Sequence, residues 1–70
     1  MSKVIRHDIY AIKEFDGFHG HWCYTHMSTD KRFISDLLVH MRMFEQKLVK
    51  LVHPSQEVVN CYLFVGNKIL

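Results

Sequence analysis

The chain is poor in the residues that staple and punctuate small proteins: two cysteines, one proline and three glycines among 70 residues. Two cysteines are too few for the disulfide-dense framework of a small secreted domain, and neither sits in a Cys-x-x-Cys pair, so a reducing compartment is the default. No apolar run approaches the roughly 20 residues of a membrane span, and the segment after Met1, Ser-Lys-Val-Ile-Arg-His-Asp, lacks the apolar stretch of a signal peptide. The expectation is a cytoplasmic protein with no membrane partner.

Catalytic signatures are also missing. Gly17, Gly20 and Gly66 stand in no phosphate-cradling loop or nucleophile elbow. Asp8 and Glu14, on one side of an extended strand, would lie about 20 Å apart, beyond the roughly 5 to 9.5 Å of paired catalytic carboxylates. Neither an enzyme nor a cofactor is expected.

What is present is core material. Apolar residues make up 49% and aromatic residues 13%, enough for one hydrophobic core, and the length excludes a second, so residues 1–70 read as a single domain. The formal charge of +2 neither demands nor excludes a polyanion. Six histidines are the unusual feature, since protonating all of them moves the charge from +2 to +8 (2 + 6) below about pH 6.5.

Val4 to Phe15 reads as a strand rich in β-branched and aromatic residues, Asp16-Gly17 as a two-residue hairpin turn, and Phe18 to His26 as the returning strand. That turn places Phe15 opposite Phe18, Ala11 opposite Trp22 and Ile9 opposite Tyr24. One face collects Ile5, Ile9, Ala11, Phe15, Phe18, Trp22 and Tyr24, with His7 and Lys13 among them. The other collects Arg6, Asp8, Tyr10, Ile12, Glu14, His19, His21, Cys23 and Thr25.

Ser28-Thr29-Asp30 supplies N-cap residues, and helical spacing continues to His53 before Pro54. Phe33, Leu37, Met41, Phe44, Leu48 and Leu51 form its apolar stripe, widened by Ile34 and Val52. Glu57 to Val65 reads as a third strand, with Val58, Asn60, Tyr62 and Phe64 on its outward face. Gly66-Asn67 then makes a turn before a short tail. The reading is an α+β fold: a small ββαβ domain, with a three-stranded antiparallel sheet in the order 2-1-3 and one long helix packed on one face.

One helix covers one face, so the reverse of the sheet is expected to be open and to carry Tyr10, Ile12, His19, His21, Val58, Tyr62 and Phe64. Val39 and Met43 add a second exposed stripe on the helix. The sheet face measures about 400 Å², short of the roughly 800 Å² per partner of a standard interface. A stable dimer therefore has to recruit an edge, the tail or the helix as well. The leading expectation is a non-enzymatic interaction module, homodimeric, that acts by docking on a larger protein as an accessory factor or inhibitor. Tyr10, Tyr62 and Phe64 flanked by Arg6, His19 and His21 leave a single-stranded RNA or DNA binder as the alternative. His19, His21 and Cys23 alternate toward one side and leave a metal-binding module as a further one, although no second ligand pair stands at a recognisable spacing. Cys23 and Cys61 fall on opposite faces, which excludes an internal disulfide.

Overall fold

The computed structural model describes residues 8–70, so the expectations for Val4 to His7 lie outside the described residues. The expected class and strand order hold: β1 (Tyr10–Asp16), β2 (His21–Ser28) and β3 (Val49–Val52) form an antiparallel sheet in the order β2-β1-β3. Helix α1 (Lys31–Met43) lies between β2 and β3 in sequence, and α2 (Gln56–Phe64) follows β3. The elements that fill these places differ from expectation in three respects.

The first is the hairpin. Asp16 does not form a two-residue turn with Gly17; its Oδ1 accepts from the Phe18 and His19 amides at 3.0 and 3.2 Å. Gly20, at φ 74°, then closes a longer loop through its N–H to Asp16 O, 2.7 Å. Phe15 therefore pairs with Trp22 rather than Phe18, and Ala11 with Met27 rather than Trp22. The lengthened loop shifts the register by an even number of residues, so Ala11, Phe15, Trp22 and Tyr24 still share one side. A bulge then places Thr25 as an extra residue between Tyr24, opposite Lys13, and His26, opposite Ile12.

The second is the helix, which ends at Met43 rather than His53. Asp30 caps its start by accepting from Phe33 N at 3.1 Å. Gln46, at φ 54°, turns the chain so that Lys47 N–H reaches back to Met41 O at 3.0 Å. Leu48 to Val52, whose apolar residues fit helical spacing, instead extend beside β1 with Glu14 opposite Val49 and Ala11 opposite Val52.

The third is the segment 57–65, which is helical and not a strand. Ser55 Oγ accepts from Val58 N at 3.3 Å to cap α2, and Glu57 lies in its positive first turn. At the other end Gly66, at φ 95°, lets its own N–H bond Leu63 O (3.0 Å) while Asn67 N–H bonds Tyr62 O (3.3 Å), which stops the helix. The sheet's third strand is thus Val49–Val52.

Each face of the sheet has its own core. On one, Ile12 and Val49 pack under Ile34, Leu38 and Met41 of α1, residues spaced to share one side of the helix, with Tyr10, Leu37 and Leu51 around them. On the other, Ala11 and Met27 pack under Val59 of α2, surrounded by Ile9, Tyr24, Val52, Val58, Tyr62 and Ile69. The tail joins the edge of β2, where Leu70 N donates to Met27 O at 2.8 Å. There the buried Ser28 hydroxyl donates to Leu70 O at 2.8 Å and accepts from Asp30 N at 2.9 Å. A polar group at full burial is thereby satisfied twice.

Candidate functional site

The helix covers the face opposite to the one expected. Ile12 is fully buried beneath α1, and Tyr10 packs beside it with its ring 4.8 Å from that of His53, so neither belongs to an open surface. The open surface lies on the α2 side. There α2, nine residues long, covers the end of the sheet near Ala11 and Met27 and leaves the end near the hairpin uncovered.

That uncovered part carries an aromatic row with two lysines. Phe15 and Trp22, direct partners across β1 and β2, meet edge to face with centroids 5.4 Å apart. Lys13 stands 5.8 Å from the Trp22 ring and 5.7 Å from the Tyr24 ring, and Lys50 stands 5.0 Å from Trp22. Lys13 and Lys50 are themselves cross-strand partners, a like-charge pair that repels unless something negative approaches. The indole face relieves part of that repulsion. The result is a local concentration of positive charge over an aromatic floor.

Beside the row, a groove of about 380 Å³ opens between Tyr24 and α2, walled by Val58, Cys61, Tyr62 and Val65, with Glu57 and Asn67 at its rim. Tyr62 fixes this wall: its hydroxyl donates to the Thr25 carbonyl at 3.3 Å, filling a position that the bulge has taken out of the ladder. Burial pushes the Tyr62 phenol above its ordinary pKa. Val58 and Tyr62, singled out from the sequence, therefore do meet at one site, but as the wall of a helix and not as strand neighbours. Phe64, 89% exposed at the end of α2, points away from the packed core, and Val39 and Met43 are exposed on α1.

His19 lies in the hairpin loop and His21 at the start of β2, with their rings stacked at 5.7 Å. Asp16 Oδ2 holds His19 Nδ1 at 2.6 Å, and hydrogen bonds from the His19 side chain and backbone lower the Asp16 carboxyl pKa. The Cys23 thiol instead meets His21 Nδ1 at 3.5 Å. Carboxylate and thiol thus engage different imidazoles, which is not the relay of a Cys-His-Asp nucleophile. Cys23 and Cys61 are free thiols. Among the described residues, no three His, Cys, Asp or Glu side chains of one chain converge as a metal ion requires, and no helix is long and apolar enough to cross a membrane.

Sequence reasoning missed Lys13, Trp22 and Tyr24 because it placed the long helix over their face, and Lys50 because it placed that residue within the helix. The signal was available in Lys13, a charge on the side assigned to the core. Searched against protein-family models, curated proteins and solved structures, the chain matches none of them.

Proposed function

We propose that the protein is a small non-enzymatic docking module that binds a larger protein through the groove between Tyr24 and α2. The partner that fits presents an apolar side chain to the groove and flanking carboxylates to Lys13 and Lys50. The observation carrying this reading is the juxtaposition of an apolar cleft of about 380 Å³ with two lysines brought over Trp22. A concave apolar patch next to an aromatic anchor and a charged rim is the composition of an interface centre. The glutamate at the rim, Glu57, disfavours a phosphate chain running through the same cleft.

The test uses two aspartate substitutions on exposed residues, Val65→Asp at the groove and Met43→Asp on α1. A partner captured from the native cell is expected to be lost with Val65→Asp and retained with Met43→Asp. Equal retention by both variants overturns the reading.

Single-stranded nucleic acid is the second reading, favoured by the aromatic row Phe15, Trp22 and Tyr24 with lysines above it. Trp22 is the only tryptophan in the chain. A titration with oligothymidylate at low salt therefore reports directly on the row. Quenching that weakens with added salt supports this reading, and unchanged emission removes it.

A further inference from the structure

The two edges of the sheet are finished differently. β3 is four residues long, and Arg42 Nη2 donates to its Val49 carbonyl at 3.2 Å, which occupies the open side of that strand. Among the described residues, β2 is closed at one end only, where Leu70 bonds Met27 and Thr29. Between the hairpin loop and the bulge, His21 to Tyr24 pairs on its outer side with none of the described residues, and it holds no lysine, arginine, carboxylate or proline to discourage a strand from pairing there. Phe15 N–H donates to the carbonyl of Leu48, the residue before β3, so the backbone groups of its partner Trp22 point away from β1, and alternation adds those of Tyr24.

A second copy of the same stretch is the occupant that fits this edge. In antiparallel two-fold pairing, the outward groups of Trp22 and Tyr24 are both used only when Trp22 of one copy lies opposite Tyr24 of the other. A slip by two residues sets one of them against Gly20, in the loop, or His26, turned toward β1. The two-fold axis then passes through Cys23, placing Cys23 of both copies face to face on the α1 side as a close pair, Cα atoms about 4.5 Å apart.

The side chains at that axis are half of a metal site. His21 Nδ1 and Cys23 Sγ stand 3.5 Å apart. Two ligands of one tetrahedral zinc ion, with bonds of about 2.3 Å to sulfur and about 2.0 Å to nitrogen, are separated by about 3.5 Å. The His21 ring is backed by His19, which Asp16 anchors. Within one chain no third ligand joins them among the described residues, and the two-fold supplies the missing pair. We propose that two copies pair along this edge and hold one thiolate-seeking transition-metal ion, zinc in type, through His21 and Cys23 of each. Each Cys23 thiol gives up its proton to solvent on binding. The metal ligands lie on the α1 side of the sheet and the docking groove on the other.

The experiment titrates metal-free protein with zinc alone, followed by sedimentation velocity and elemental analysis, with cobalt as the spectroscopic probe. A zinc-dependent dimer with one ion per two chains is expected, and cobalt is expected to show the absorption bands of a tetrahedral thiolate-imidazole site. Cys23→Ser and His21→Ala, both on this edge, are expected to weaken zinc binding at least 10-fold with circular dichroism unchanged, while Cys61→Ser and His53→Ala bind as the wild type. Zinc bound one per chain by a monomer, no zinc binding, wild-type affinity in Cys23→Ser, or an octahedral cobalt spectrum each overturns the proposal. Val65→Asp is expected to keep the zinc dimer, so failure here and failure of the docking reading are told apart.

Discussion

The same three strands present two faces that are covered unequally. Beneath α1, thirteen residues long, Ile12, Ile34, Leu38, Met41 and Val49 form the larger cluster. Beneath α2, nine residues long, the cluster reduces to Ala11, Met27 and Val59. Fully burying a side chain of the size of Ile or Met contributes about 1.5 to 3 kcal/mol, so the α1 face holds most of the fold's stability. The α2 face leaves Trp22 and Tyr24 only half-buried. In a chain of this size the surface left on one face is the surface available for work.

The largest expected effect breaks the α1 face. Ile12→Ala is expected to cost about 2 to 5 kcal/mol, because Ile12 has no exposed surface and its neighbours come from a helix and a second strand. Val59→Ala, which deletes two methyl groups under α2, is expected to cost about 1.6 kcal/mol. Urea unfolding of both variants checks the order. Equal costs would mean that the two helices share the load and would end the comparison.

The legibility of the sequence divides along the same line. Side-chain alternation in the hairpin was readable, because Ala11, Phe15, Trp22 and Tyr24 stay on one side for any even shift of register. The register itself was not, because it depends on the Asp16 carboxylate capturing two amides, a contact that a two-residue turn rule does not contain. Leu48 to Val52 satisfied two periods at once. Leu48, Leu51 and Val52 continue a helical stripe, whereas Val49 and Leu51 form one side of a strand, and the left-handed turn at Gln46 decided between them. Val58 to Val65, rich in β-branched and aromatic residues, suggested a strand, yet Ser55 and Gly66 already bracketed it as cap and stop of a short helix. Composition lost there to the ends. The docking surface was illegible for a geometric reason: assigning the helix to the wrong face inverted the roles of Ile12 and Trp22.

A smaller effect sharpens the contrast at the joint between α2 and the sheet. Tyr62→Phe keeps the ring in the groove wall and removes the hydrogen bond to the Thr25 carbonyl, at an expected cost of about 0.5 to 1.5 kcal/mol. The change is expected to appear as faster hydrogen exchange in α2 while α1 exchanges as before. Uniform acceleration in both helices would show that the bulge is tied to the whole core and not to α2 alone.

The smallest effect lies at the hairpin tip. Hydrogen bonds from the His19 side chain and amide lower the Asp16 pKa from its ordinary value of 3.8. A carboxyl whose folded pKa is depressed contributes stability that is present above the unfolded value and lost as pH falls through the folded one. The window therefore opens just under pH 3.8, and as Asp16 protonates the loop loses its ion pair and the charge on its amide acceptor. Because both side chains are exposed to solvent, the global unfolding transition is expected to move little, while the amide resonances of Phe18 and His19 shift with acid. Asp16→Ala is expected to shift the same two amides at neutral pH. Resonances unmoved by either change would mean that the glycines alone shape the loop, and that the hairpin owes its register to backbone conformation and not to the Asp16 carboxylate.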